Sequence, residues 1–325
     1  DVYKRQRLRN QVSFMLSACN FYMPIFEEAL DAYGLPLELR YLPIIESALN
    51  PSAVSRAGAS GLWQFMIGTG KIYGLESNSL VDERRDPIKA TWAAARYLKE
   101  MYDIYGDWNL VIAAYNCGPG TINKAIRRAN GETDYWKIYN YLPKETRGYV
   151  PAFIAANYVM TYYCDHNICP METNIPASTD TVQVNKNLHF EQIADLCNVP
   201  LDQIKSLNPQ YKKQMIPGDS KPYTLRLPID AISTFIDKQD TIYTHRADEL
   251  FRNRKTVAVK DITPATRKTT SAVAGKGNLT YYTIKSGDTL STIARKYGVT
   301  IKDIQRWNGM SSTKIAAGKR LKIYK

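Results

Sequence analysis

No apolar run in this chain approaches the roughly 20 residues that a membrane-spanning helix requires. No paired CxxC sequences supply the ligand spacing of a structural zinc site. From residue 11 to about 166 no alternating apolar–polar pattern of strand length occurs, which excludes a sheet-based fold for that half of the chain. Acidic residues become scarce toward the end: residues 251–325 hold 17 Lys and Arg against 3 Asp and Glu, while the first 250 hold 26 and 28. The net charge of +12 therefore belongs to the C-terminal part. A basic tail suits nucleic acid, anionic lipid or an acidic cell-wall polymer, and charge alone does not choose among them. The five cysteines, at 19, 117, 164, 169 and 197, leave at least one thiol unpaired in any intramolecular scheme. Cys164 and Cys169 flank Asp165 and His166; two packed thiols or a disulfide fit this spacing better than a metal site. No metal or other cofactor is expected.

What is present is enough for a folded chain with more than one domain: 325 residues, 44% hydrophobic and 23% charged. The chain begins at Asp1 without Met, as a fragment would, so any export signal is expected to be lost. Lys4 to Arg9 followed by Val12 to Cys19 has the outline of a lipoprotein signal. Its apolar core is barely seven residues long and no tether follows Cys19, so it reads as an ordinary helix running on into Phe21 to Tyr33. Beyond it, short amphipathic helices follow one another. Ile25, Phe26, Ala29, Leu30 and Tyr33 keep helical spacing before Gly34, and Pro36 opens a segment carrying Leu39, Leu42, Ile45 and Glu46. Asp86-Pro87 is an N-cap and first-turn pair for a long helix with Ile88, Trp92, Ala95 and Tyr102 marking a buried face.

From Thr181 an internal repeat appears. Tyr282 to Leu290 leads into Ile293-Ala294, Val299, Ile304, Asn308 and Gly318. One hundred residues earlier stand Phe190, Ile193-Ala194, Val199, Ile204, Asn208 and Gly218, without a gap. Each copy reads as strand, two short helices and closing strand. The expected boundaries are 1–19 for a helical extension, 20–170 for an all-α domain and 181–229 for the first repeat. A basic linker follows over 238–279, then the second repeat over 280–325. The fold class is α+β multidomain.

One constellation carries chemistry. Glu46-Ser47 ends one helical pattern, Gly58-Ala59-Ser60-Gly61-Leu62-Trp63-Gln64-Phe65-Met66 opens the next, and Ala113-Ala114-Tyr115-Asn116-Cys117-Gly118-Pro119-Gly120 follows. A glycosidic oxygen leaves only when protonated, so cleavage of a sugar polymer needs a carboxylic acid that keeps its proton near neutral pH. Leu42, Ile44, Ile45, Leu62 and Trp63 around Glu46 would desolvate it and raise its pKa. A glycosidase also uses a second carboxylate, and no good second candidate stands nearby. Asp82, Glu83 and Asp86 read as a solvated helix start or surface ion pairs.

These motifs, with Val81 to Pro87 and Leu142-Pro143, Glu145 to Val150, resemble in order the lytic transglycosylases of the soluble, goose-lysozyme-like type, most closely the membrane-bound D group. The resemblance implies an all-α lysozyme-like catalytic domain and cleavage of the N-acetylmuramic acid–β-1,4–N-acetylglucosamine bond without water. Glu46 would act as acid and then as base toward the muramic C6 hydroxyl, giving a 1,6-anhydro end. It implies Tyr115 beside the reacting sugar, Asn116 on the loop or an N-acetyl group, and Ser47, Ser55, Gln64, Met66 and Glu145 as substrate contacts. Other readings stay open: Ser55 as an N-cap, Glu145 as a surface partner of Arg147, and Trp63, Phe65 and Met66 as core. Residues 281–324 resemble a LysM module, with Gly287, Asp288, Thr289, Leu290 and Asn308 as the implied sugar-binding set. The first copy has Asn187-Leu188-His189 at the matching place and resembles a degenerate LysM. The expected partner is the peptidoglycan glycan strand, not nucleic acid, for a monomer in the periplasm or cell envelope, with outer-membrane association left open. A hydrolytic muramidase and a non-catalytic wall-binding protein are the alternatives.

Overall fold

A computed structural model describes residues 2–251, apart from 174 and 177, and 279–324, apart from 286, 287, 309, 311, 312 and 314. The chain divides into two compact units, Asp1–Pro264 and Ala265–Lys325.

The first unit starts with α1 (Val2–Ala32), one unbroken helix, so the stretch around Cys19 is part of it. Met15, Ala18, Tyr22, Phe26, Ala29 and Leu30 repeat at helical spacing and are buried. A 3₁₀ turn over Leu37–Tyr41 hands the chain to α2 (Leu42–Ser47). Then come α3 (Ile67–Ile72), α4 (Pro87–Tyr105), α5 (Trp108–Cys117), α6 (Pro119–Arg128), α7 (Tyr135–Ile138), α8 (Lys144–Arg147) and α9 (Tyr149–Thr161). The Asp86 carboxylate caps α4 by accepting from the Ile88 and Lys89 amides, as the Asp-Pro pair predicts, but the buried face runs through Ala90, Ala94, Leu98 and Met101, and Ile88 and Trp92 are exposed. Helix α5 is buried over Leu110, Val111, Ile112, Ala113 and Ala114 in succession, and α4, α6 and α9 pack on it. This domain is all-α, as expected. Cys164 and Cys169 are exposed, unpaired thiols.

The first repeat follows as β1 (Thr179–Val184), β2 (Asn187–His189), α10 (Phe190–Cys197), α11 (Leu201–Leu207), β3 (Met215–Pro217) and β4 (Tyr223–Pro228). Strands β1 and β4 pair antiparallel, with Val182 opposite Leu225, and β2 pairs with β3, a second ladder beyond the expected strand–helix–helix–strand plan. Residues 229–250 add α12 (Ile229–Asp237), α13 (Gln239–Thr244) and α14 (Ala247–Leu250). The linker expected from Lys238 therefore begins as helix, because Ile242 is buried in the repeat's core and Gln192 donates to the Tyr243 and His245 carbonyls. The rest of that linker, 252–278, lies outside the described residues.

This repeat is built onto the helical domain. Leu80 and Val81 share its apolar core with Phe190, Tyr211 and Met215. The Asp82 amide donates to Gln210 O (2.9 Å) and the Lys212 amide to Leu80 O (2.8 Å), around a bridge between Val81 and Tyr211.

The second unit repeats the plan with β5 (Leu279–Thr283), α15 (Leu290–Tyr297), α16 (Ile301–Trp307) and β6 (Arg320–Tyr324), β5 antiparallel to β6. One detail is duplicated across the copies. The Asn208 side-chain amide donates to Ile204 O (2.9 Å) and Arg226 O (2.8 Å) and accepts from the Arg226 backbone amide (2.8 Å). Asn308 does the same with Ile304 O, Lys322 O and the Lys322 amide at 2.8, 2.8 and 2.7 Å.

Candidate active site

Glu46 lies in the last turn of α2, half-buried. The helix stops because Ala48 and Leu49 take left-handed backbone angles, φ 52° and 58°. Non-glycine residues adopt that conformation at a cost, which the full burial of Leu49 offsets. The Ser47 hydroxyl donates to Pro43 O (3.0 Å) and Leu62 O (2.9 Å), joining the end of α2 to the loop 58–66.

That loop is fixed from three sides. Gly61 has φ 90°, and a Cβ there would stand 1.7 Å from the Arg84 carbonyl oxygen, so only glycine fits. Arg84 pairs with both oxygens of Asp82 (2.9 and 2.8 Å) and donates from Nη1 to the Gly58 and Phe65 carbonyls, each at 2.9 Å. Trp63 is fully buried, edge-on to Phe26 at 5.3 Å, its indole donating to Thr91 Oγ1 (2.9 Å). Trp63 and Phe65 are therefore core, and Met66, 45% exposed, is not. Asp82 and Glu83 are buried, together with Arg84, and Asp86 is half-buried at the start of α4, contrary to the solvated helix start or surface ion pairs expected of Asp82, Glu83 and Asp86. The reason is mutual satisfaction: Asp82 pairs with Arg84, and Glu83 accepts from Lys89 and the Glu76 amide.

The Tyr149 hydroxyl donates to Glu46 Oε1. Burial pushes the Glu46 carboxyl up to about 7; the Tyr149 hydrogen bond pulls the other way, and the negative charge of Glu145 adds to the rise. Glu145 is thus a carboxylate within electrostatic reach of Glu46, a second acid that sequence spacing alone does not reveal. It is exposed and not paired with Arg147, whose guanidinium donates to the Leu142 and Asn140 carbonyls. The Tyr115 hydroxyl donates to Trp63 O at 2.7 Å, and burial, then the charge of Glu46, hold its pKa well above the ordinary tyrosine value. Tyr115 therefore keeps its proton. Asn116 Oδ1 accepts from Thr146 Oγ1 (2.9 Å), tying the end of α5 to α8, which carries Glu145. Gln64, in a left-handed conformation at φ 48°, donates to Gly61 O (2.8 Å).

Gln64, Met66, Tyr115 and Asn116 line one cavity of about 270 Å³, joined by Thr69 and Tyr97, which the sequence had not singled out; Glu46, Ser47 and Glu145 are not among its lining residues. Ser55 instead closes the base of the loop, its hydroxyl accepting from the Ala59 amide (3.0 Å). Tyr149 is the other residue sequence reasoning missed. It stood inside the quoted Glu145 to Val150 stretch, but nothing local links it to a residue 103 positions earlier.

In the second repeat, Gly287 lies outside the described residues. Asp288 Oδ2 accepts from the Lys285 amide (2.8 Å) and the Tyr282 hydroxyl (2.7 Å). Thr289 Oγ1 accepts from the Thr292 amide (3.2 Å) at the start of α15, and Leu290 is core. Asn308 is joined to β6 and half-buried, Asp288 is half-buried, and Thr289 is exposed, so these residues hold the start of α15 and the closing strand in place at the module's surface.

The bounds of three family models agree with this layout. Residues 23–138 match the transglycosylase SLT domain, 178–244 the LysM-like domain of the lytic transglycosylase MltD, and 282–323 the LysM domain. The membrane-bound lytic murein transglycosylase D of Escherichia coli K12 is 33% identical over 294 residues, 89% of this chain and 60% of that protein. The soluble lytic murein transglycosylase of the same strain is 33% identical over 124 residues, 36% of this chain and 19% of that one. Among solved structures, the 70 kDa soluble lytic transglycosylase of Escherichia coli aligns at 29% identity and TM-score 0.38, over 44% of this chain and 24% of its own. The chain spans about 60% of the length of the first of these relatives.

Proposed function

Because the chain belongs to the MltD-like lytic transglycosylases, with an SLT domain followed by LysM-type modules, we propose that it cleaves peptidoglycan glycan strands without consuming water. Glu46 donates its proton to the oxygen linking N-acetylmuramic acid to N-acetylglucosamine as the C1–O bond breaks. The muramic C6 hydroxyl then attacks C1 and gives its proton to the Glu46 carboxylate, which leaves a 1,6-anhydro end and restores the acid. The observation that carries this reading is the half-buried Glu46 carboxyl on which the Tyr149 hydroxyl is set, desolvated so that its pKa rises to about 7 and both protonation states are populated at neutral pH. Tyr149 donates to it, Tyr115 holds the loop through Trp63 O, and Gln64, Met66 and Asn116, which line the cavity, are the residues assigned to the sugar. The C-terminal LysM module holds the enzyme to the wall, helped by the positive charge of residues 251–325, in the periplasm or cell envelope. Among the described residues no helix is long and apolar enough to cross a membrane.

A second reading rests on Glu145. It is an exposed carboxylate whose charge reaches Glu46, and in a hydrolytic enzyme it would serve as the base that activates water. Mass spectrometry of digested peptidoglycan separates the two. Anhydro-muramyl ends that vanish with Glu46→Gln support the transglycosylase; reducing muramic ends that vanish with Glu145→Gln support the muramidase.

A further inference from the structure

The first LysM-type repeat meets the helical domain at the residues that fix the active-site loop. Lys212 lies between α11 and β3 of the repeat; its ammonium group donates to Asn78 O (2.7 Å) and stands 3.6 Å from Asp82 Oδ2. Asp82, whose side chain is 2% exposed, holds Arg84 by two hydrogen bonds, and Arg84 holds the Gly58 and Phe65 carbonyls at either end of the loop 58–66. Two backbone bonds from residues 210 and 212 fix the 80–82 segment alongside. A second clamp lies nearby: the Tyr223 hydroxyl (3.0 Å) and the Lys221 ammonium (2.6 Å) both reach Glu76. The order of contacts runs from the repeat through Asp82 and Arg84 to the loop whose Gln64 and Met66 line the cavity.

We infer that the first repeat is part of the catalytic apparatus rather than a wall anchor, with Lys212 as a positioning residue that acts through Asp82 and Arg84 on the loop 58–66. This rests on the transglycosylase reading of Glu46 and deepens it. Two cations share one buried carboxylate here. Burial alone disfavours the charge of Asp82, yet Arg84 and then Lys212 hold its pKa below the ordinary aspartate value. A carboxylate placed at 212 would oppose Asp82 and loosen its grip on Arg84.

The test uses the full chain and a short soluble glycan, a muramyl tetrasaccharide too small to be retained by a distant wall-binding module. Wild type must cleave it and Glu46→Gln must not; an inactive wild type would refute the underlying reading of Glu46 instead. Lys212→Glu is then expected to lower kcat/KM on the tetrasaccharide roughly ten- to hundredfold, the scale of an ångström-sized displacement of a site. Lys212→Arg should restore most of it. The alkaline fall in activity should also move to lower pH in Lys212→Glu, because a loosened loop 58–66, which is joined to the end of α2 through Ser47, admits water to Glu46, while the facing Tyr149, Glu145 and Tyr115 are unchanged. If Lys212→Glu does not fold, Lys212→Met gives the milder form of the same loss. A folded Lys212→Glu or Lys212→Met with wild-type tetrasaccharide kinetics and pH profile, impaired only on intact sacculi, would show the repeat to be an anchor and overturn the inference.

Discussion

Replacing Glu46 by glutamine removes a charge that the fold holds at a disadvantage. The carboxyl moves from an ordinary 4.5 to about 7 on folding. Below pH 4.5 the group is protonated in both states and contributes nothing to pH dependence. Between the two values the native state binds the proton that the unfolded chain has released, so stability declines as pH rises, and above about 7 the full penalty is in place. At about 1.4 kcal/mol per pH unit the shift amounts to at most about 3.5 kcal/mol, and screening by solvent at a half-buried site reduces this to roughly 1–2. The glutamine amide retains an oxygen to accept from Tyr149 and has nearly the same volume as the carboxyl. Glu46→Gln is therefore expected to be more stable than wild type by ~1–2 kcal/mol at pH 8, with the gain fading toward pH 4, while activity falls by two to four orders of magnitude, roughly the general-acid contribution. Urea unfolding followed by tryptophan fluorescence measures this, since Trp63, Trp92, Trp108 and Trp136 all lie in the first unit. Equal stability of the two proteins at pH 8, or a gain that is the same at pH 4 and pH 8, would show that Glu46 is not a strained acid.

Tyr149→Phe deletes a hydrogen bond that lowers the Glu46 pKa; the alkaline limb of the pH–rate profile should move upward while the maximal rate drops, and an unmoved limb would argue against their contact. Gly61→Ala forces a methyl group into the Arg84 carbonyl at a positive φ; a loss of at least about 2–3 kcal/mol in a melting experiment is expected. Asn308→Ala breaks three hydrogen bonds that close the C-terminal module, so its melting temperature should fall by the equivalent of about 2–3 kcal/mol. A sugar-contact role would instead weaken glycan binding and leave stability intact, and the two are separated by calorimetry with and without chito-oligosaccharide.

The parts of this molecule that could be read from its sequence are those whose physics is local. Helical spacing along α1, the Asp86-Pro87 start of α4 and the hundred-residue repeat each declare themselves within a few turns of chain. Glu46 was legible for a related reason: its apolar neighbours Leu42, Ile44 and Ile45 adjoin it in sequence, so its desolvation could be foreseen. What could not be read depends on partners far apart. Asp82, Glu83 and Arg84 look like a surface charge cluster until the Gly58 and Phe65 carbonyls and Lys212 arrive to satisfy them. Tyr149 looks like one more apolar helix residue until α9 packs on α2.

The same distinction explains why the family motif has its residues where they are. Of the loop Gly58 to Met66, only Gln64 and Met66 line the cavity with their side chains free of the core, whereas Gly61, Trp63 and Phe65 serve the backbone path that puts them there. Tyr115 contributes to both tasks, lining the cavity while its hydroxyl holds Trp63 O. A motif of this type records the cost of holding one desolvated carboxyl: a left-handed pair after it, a glycine pressed on a carbonyl, and a buried ion pair beneath. Such strain persists only where surrounding contacts over-determine it. Here part of that determination comes from Lys212 in the neighbouring repeat, so the boundary between catalytic domain and binding module, drawn from sequence at about residue 170–180, is not a boundary in the mechanics of the site.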